Sequence, residues 1–272
     1  MDFQLIALDI DGTLLNSKKE LEPETLQAIR DVCAAKKLVV FDTGRAVSEL
    51  VDLFALLPEV RYAVFASGAG IYNTQEKRAF SLHDIPRETA DAIFELACTK
   101  DVMPQIIFPE AAVLQASHME HLERYYMDVY RPFYEKSMTL VPDIYAFAAS
   151  CREPMLKINL YHADPEERTR TNAQLSGLNI ERIYAETSSL ECSAPGVDKG
   201  AGLLQLCREL GVSPSRAIAV GDSDNDLPML QAAGFGIAMG NAAEHIKAAA
   251  DHVVPDLDHG GAARAIRMLL SE

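Results

Sequence analysis

Tryptophan is absent, aromatic residues make up only 7% of the 272 residues, and no apolar run approaches the roughly 18 to 20 residues that a transmembrane helix needs. A chain that crosses or binds a membrane is therefore not expected. Positive charge is also scarce. Lys and Arg number 25 against 40 Asp and Glu, a formal charge of −15 whose long-range field repels polyanions and argues against nucleic acid as a partner. The amino-terminal MDFQLIALDID places carboxylates where a secretory signal wants basic residues, so the expected location is the cytoplasm. Cysteines are few and odd in number: Cys33, Cys98, Cys151, Cys192 and Cys207 include no C-x-x-C pair and read as reduced, mostly buried thiols. With 49% hydrophobic and 24% charged residues, the chain has the usage of a folded globular protein, not of a disordered or collagen-like one.

The length suggests about two domains. Phe3 to Leu8 is a near-continuous apolar run ending at Asp9, as expected of a parallel strand covered on both faces. Pro23 opens a helical pattern, Leu38 to Phe41 is a second strand ending in Asp42 and Thr43, and a helix from about Ala46 to Leu57 leads to a strand near Tyr62 to Ala66 and the turn Ser67-Gly68-Ala69-Gly70. The rhythm is that of an α/β fold, a Rossmann-like doubly wound parallel sheet. From about residue 84 it changes. A helix near Pro86 to Thr99, short strands at Met103 to Phe108 and Ala111 to Leu114, and a long helical stretch rich in Tyr and Met precede strands at Met155 to Tyr161 and Arg182 to Ala185. Residues 84–187 are thus expected to form an inserted α+β cap, with 1–83 and 188–272 forming one catalytic core.

Four segments place reactive or phosphate-binding residues just after a strand or at a helix start, where open α/β sheets gather ligands. They are Asp9-Ile10-Asp11-Gly12-Thr13, Asp42-Thr43-Gly44-Arg45, Asp198-Lys199-Gly200 and Gly221-Asp222-Ser223-Asp224-Asn225-Asp226. Taken singly, each has a plain reading: turn carboxylates, helix caps, a solvated lysine. Taken together, Asp9, Asp11, Asp222 and Asp226 crowd negative charge into one crevice, which demands cations among them. Lys199 and a magnesium ion can supply these, and an acid-rich set without His or Cys suits magnesium better than zinc.

In these four ordered motifs the chain resembles the haloacid dehalogenase superfamily, specifically its Cof-like phosphatases with a large (C2-type, IIB) cap between the second and third motifs. The separations, 156 residues from Thr43 to Lys199 and 23 from Lys199 to Asp222, agree with such an insertion. The resemblance implies a magnesium-dependent phosphatase acting on a small phosphorylated metabolite. Asp9 would be the nucleophile, forming an aspartyl-phosphate. Asp11 would serve as general acid and then base. Magnesium would be held by Asp9, Asp222 and the backbone carbonyl of Asp11. Phosphate would be bound by Thr43, Gly44, Lys199 and Asn225, with Asp226 in support. Two departures stand out: Ser67 where the branch often has Asn, and Asp42 where it often has Ala. Two other activities stay open on this scaffold, a phosphohexomutase and a noncatalytic metabolite-binding protein. His118 and His121, three apart, lack a third ligand and are read as a solvated helix face; Tyr125, Tyr126, Tyr130 and Tyr134 are read as aromatic core that could also line a substrate pocket. The oligomeric state is not legible.

Overall fold

In the computed structural model, which describes residues 2–270, the first apolar run forms β1 (Leu5–Leu8) with all four residues buried. That is the signature of a strand covered on both faces. Helix α1 (Pro23–Ala34), opened by a proline whose missing N–H costs nothing at that position, buries Ala28, Ile29 and Val32 and returns the chain to β2 (Leu38–Asp42), parallel to β1 with Leu8 beside Phe41. The helix expected from Ala46 is interrupted: a 3-10 turn at Val47–Glu49 precedes α2 (Val51–Leu56), and the Glu49 carboxylate accepts the Ala46 N–H at 2.5 Å. Strand β3 (Tyr62–Phe65) runs parallel to β2, and β4 (Gly70–Asn73) and β5 (Arg78–Phe80) extend the sheet antiparallel.

The next stretch builds a six-stranded sheet. Its strands are β6 (Val102–Ile107), β7 (Ala112–Gln115), β8 (Met138–Val141), β9 (Lys157–His162), β10 (Glu181–Ala185) and β11 (Ser189–Ser193), in the order β10-β11-β9-β6-β7-β8. Helices α3 (Arg87–Ala97) and α6 (Ile144–Ser150) share a core with one face, where Ile93, Phe94 and Ile144 join Ile106, Ile158, Leu160, Leu190 and Cys192. The Tyr- and Met-rich stretch on the other face is not one long helix. It breaks into α4 (Ala116–Met119), two 3-10 turns (Leu122–Tyr125 and Asp128–Tyr130) and α5 (Arg131–Ser137), with Tyr126 at φ +63° between the turns. The irregular path lets Met119, Leu122, Tyr125, Met127, Tyr130 and Tyr134 share one buried cluster. Helix α7 (Pro165–Gln174) follows β9 and is capped by the Asp164 carboxylate.

After β11 the first sheet resumes. Helix α8 (Lys199–Leu210) is capped at its start by Asp198, which accepts the Ala201 N–H, and at its end by Gly211 in the left-handed region. Strand β12 (Ala217–Gly221) pairs with β1 on the side opposite β2; α9 (Leu227–Ala232), β13 (Phe235–Ala238), α10 (Glu244–Ala249), β14 (His252–Val253) and α11 (Gly261–Met268) complete the chain. The order β14-β13-β12-β1-β2-β3-β4-β5 reverses direction at β1, flanked by β12 and β2. That is where a doubly wound sheet opens a crevice at its carboxyl edge.

Two compact units result, one of Met1–Gly44, Asp52–Ser81 and Asp198–Glu272, the other of Arg45–Val51 and Leu82–Val197. The second extends past residue 187 because β11 pairs with both β9 and β10. No helix among the described residues is long and apolar enough to cross a membrane.

Candidate active site

Asp9 is the first residue beyond β1, and its N–H donates to the Val220 carbonyl at 3.0 Å, tying it to the neighbouring strand. Its side chain is buried, and the Lys199 ammonium donates to its Oδ1 at 2.6 Å. Lys199 opens α8 and is itself buried; a second donation, to Asp226 Oδ1 at 2.5 Å, makes it a bridge between two carboxylates. Burial works against the charged form of Lys199, but Asp226, Asp9 and Asp42 outweigh it and raise the ammonium's hold on its proton. Burial, with Asp226 adding to it, also holds the Asp9 carboxyl well above the usual carboxylate range, an effect Lys199 opposes.

The other oxygen of Asp226 accepts the N–H groups of Asp222 and Ser223 at 2.9 and 3.0 Å and the Ser223 hydroxyl at 3.2 Å, so this carboxylate shapes the loop after β12. Asp222 is held on its far side. Thr13 Oγ1 donates to its Oδ1 at 2.9 Å, and Asn241 Nδ2 reaches Asp222 Oδ2 at 3.3 Å and the Gly12 carbonyl at 2.9 Å. The Gly12 turn needs glycine for two reasons: φ is +89°, and a Cβ would lie 2.4 Å from Asp222 Oδ2. The absence of that one side chain allows the turn after β1 and the loop after β12 to close on each other.

Asp9, Asp222 and Asp226 each present a carboxylate oxygen within 4.8 Å of the others. Because both oxygens of Asp226 are already engaged by Lys199 and the loop, Asp9 and Asp222 are the pair suited to a hard divalent cation, and all the donors are oxygens, as magnesium prefers. The Gly12 close approach, which keeps Asp222 against the turn carrying Asp9 and Asp11, fits such an ion. Asp11 stands one step further along the turn, its Oδ1 in an ion pair with Lys19 Nζ at 2.9 Å.

Thr43 follows β2, buried, its N–H donating to Val64 O at 3.0 Å and its carbonyl accepting the Ser67 N–H at 3.0 Å; Gly44 comes next. Asn225 is buried, with Oδ1 accepting from Ser223 Oγ at 2.6 Å. Asp42 lies beside this group. It is fully buried, and neither carboxylate oxygen has a hydrogen-bond partner among the described residues, so burial, reinforced by Asp226, Asp9 and Asp198 against the opposing Lys199, pushes its pKa well above the usual carboxylate range.

The structure therefore gathers Asp9, Lys199, Asp222 and Asp226 into one bonded network. Lys19 and Asn241 were missed as site residues by sequence reasoning. Asn241 sits in the Gly240-Asn241-Ala242 segment with no motif spacing of its own; Lys19 is one of two adjacent lysines, and nothing in the sequence says which is aimed inward. His118 packs edge-on against Tyr125, and Tyr125, Tyr130 and Tyr134 lie in the buried cluster of the second unit, whereas Tyr126 is exposed.

A family model for haloacid dehalogenase-like hydrolases matches residues 6–266. The chain belongs to that family. The phosphatase YwpJ of Bacillus subtilis is 28% identical over 98% of this chain and 100% of its own length. The chloroplastic endoribonuclease YBEY of Arabidopsis thaliana is 27% identical over 97% of this chain, which spans only 46% of that protein. Among solved structures, a haloacid dehalogenase-like hydrolase from B. subtilis superposes with a TM-score of 0.86 at 26% identity, covering 98% of this chain and 99% of the other. In this hydrolase the Asp9 turn, Lys199 and the Asp222 loop occupy the carboxyl edge of β1 and β12.

Proposed function

We propose that this hydrolase is a magnesium-dependent phosphatase of the cytoplasm that hydrolyses a small phosphorylated metabolite, such as a sugar phosphate, through an aspartyl-phosphate. The observation that carries the reading is the buried Lys199 bridge. A lysine shared by Asp9 and Asp226 holds Asp9 at the strand end as a fixed, partly neutralised nucleophile and brings positive charge to where phosphoryl oxygens would gather. A relative named as a phosphatase, YwpJ, supports the phosphatase part of this reading.

In this reading Asp9 attacks phosphorus, and Asp11, two residues on, delivers a proton to the departing oxygen and later takes one from the water that releases phosphate. Thr43 and the Gly44 N–H bind non-bridging oxygens, Asn225 adds a contact, and Asp226 keeps Lys199 aimed. Asp9, Asp222 and the Asp11 carbonyl would hold magnesium, which neutralises phosphoryl charge when bound. Residues 84–187 would choose the substrate.

The test is phosphate release from a panel of phosphorylated metabolites by the wild type and Asp9→Asn, with magnesium or with chelator. Release should require both the ion and Asp9, with Asp9→Asn slower by about a thousandfold or more. Near wild-type turnover by the variant would remove the covalent mechanism, and a requirement for a bisphosphate activator would turn the reading to a mutase.

A further inference from the structure

The central strands of the second unit have two unlike faces. Ile106 on β6, Ile158 and Leu160 on β9, and Leu190 and Cys192 on β11 share an apolar core on one side. The residues between them point the other way. On that side the register sets Gln105 beside Asn159 and Asn159 beside Glu191, and Met103 beside Tyr161 and Tyr161 beside Ser189. Gln105, Lys157, Asn159, Ser189 and Glu191 are polar, yet all are buried. Burial on this scale is unfavourable unless each polar atom finds a partner. A directional chain of hydrogen bonds meets most of that need. Met138 Sδ can only accept, and Gln105 Nε2 donates to it at 3.5 Å, which turns Gln105 Oε1 the other way. That oxygen accepts from the Tyr161 hydroxyl at 3.0 Å and from Asn159 Nδ2 at 2.8 Å. With its proton given to Gln105, the Tyr161 oxygen accepts from the Tyr134 hydroxyl at 3.3 Å and from Asn159 Nδ2 at 3.2 Å. The chain leaves the Asn159 carboxamide one orientation, with Nδ2 towards Gln105 and Oδ1 away from it. Asn159 is only 3% exposed, and its Oδ1 has no partner among the described residues. Ser189 Oγ, diagonal to it on the same face, is buried and also has none. A buried acceptor pinned in one orientation and left unmatched marks where a donor from outside the chain fits.

We propose that Asn159 and Ser189 determine specificity by binding hydroxyl groups on the non-phosphate part of the substrate, Asn159 Oδ1 as acceptor and Ser189 Oγ as donor or acceptor. The inference rests on the phosphatase reading and narrows its substrate to a polyhydroxylated phosphate ester. A hydroxyl suits this face better than an ammonium does. The carboxamide oxygen of Asn159 carries no net charge, and the carboxylate on the same face, Glu191, accepts from Lys157 Nζ at 2.9 Å. An analogue with a methylene in place of the hydroxyl would bury Asn159 Oδ1 against carbon and leave it unmatched, which is how a polar site rejects an apolar isostere.

The experiment compares kcat/KM for sorbitol 6-phosphate, hexyl phosphate and 6-aminohexyl phosphate in the wild type, Asn159→Leu and Ser189→Ala. The three esters share a six-carbon chain and differ in the groups it carries. The wild type should prefer sorbitol 6-phosphate over hexyl phosphate by about tenfold or more, Asn159→Leu should erase most of that ratio, and Ser189→Ala, a smaller change to the packing, should lower it by about threefold. A ratio unchanged in both variants, or a wild type that prefers hexyl or 6-aminohexyl phosphate, overturns the proposal. If the wild type releases phosphate from none of the three, the phosphatase reading fails separately. The proposal is then decided by the NMR signal of the Asn159 carboxamide in the wild type, which also serves if Asn159→Leu does not fold. A shift on adding sorbitol 6-phosphate but not hexyl phosphate supports it, and no shift, or the same shift with both, overturns it.

Discussion

Lys199 and Asp42 show how a single buried side chain is judged by its neighbours. Lys199 has two carboxylates within hydrogen-bond reach and holds its proton more tightly; Asp42 has no hydrogen-bond partner for either oxygen among the described residues, and burial raises its pKa. The cost of Asp42 has a definite pH dependence. Above its ordinary pKa of 3.8 the unfolded chain releases the proton while the folded chain, with its raised pKa, keeps it, so stability is fully present below that value and falls as pH rises towards the folded pKa. Asp42→Asn cannot ionise in either state. Its unfolding free energy should therefore gain on the wild type as pH rises above about 4, by up to about 1.4 kcal/mol for each pH unit until the folded pKa is reached. Urea titrations of metal-free protein measure this, and a difference independent of pH would show that Asp42 ionises in the fold. From sequence, Asp42 was only one more carboxylate beside Thr43; its burial depends on what covers the end of β2.

At the scale of elements, α8 does two things. Its first residue supplies Lys199, and Gly202 one turn later lies so close to β3 that a Cβ would meet Val64 Cγ1 at 2.4 Å. The close approach seats the helix start against the strand ends. Burial also governs the thiols of regular elements: Cys192 on β11 is pushed up to about 12 and Cys207 on α8 to about 11, while Cys98 is exposed. Iodoacetamide should label Cys98 in the native chain and reach Cys192 and Cys207 only after unfolding, as read by peptide mass spectrometry. Labelling of Cys207 at the rate of Cys98 would contradict the packing of α8. The parallel strands of the first unit were legible because a strand buried on both faces is an uninterrupted apolar run ending in polar residues. The Tyr- and Met-rich segment was not, since large side chains at mixed spacings of two to four fit a helix on paper and a folded-back series of short turns in the structure.

At the scale of the whole molecule, a charge of −15 opposes the approach of any anionic substrate, and the site answers it only locally, through Lys199, Lys19 and the proposed cation. Screening shortens the reach of the global field to about 8 Å at physiological ionic strength and leaves the buried Lys199 contacts nearly untouched. With magnesium saturating, KM for a phosphate monoester should therefore fall as potassium chloride rises from low to physiological concentration, and kcat should hold. A KM that climbs with salt would mean that a positive field at the site steers the substrate.

Sequence by itself determined which side chains stand at the strand ends and helix starts where the proposed chemistry would take place. Asp9, Asp11, Thr43, Lys199, Asp222 and Asp226 stand in motifs whose positions follow from strand ends and helix starts, and those follow from local apolar patterning. Tertiary structure alone decided which groups meet. The pairing of Lys19 with Asp11, the grip of Asn241 on Asp222, the full engagement of Asp226 and the burial of Asp42 depend on distances between segments far apart in the chain or on the path of a turn, and neither is encoded in the spacing of residues along it.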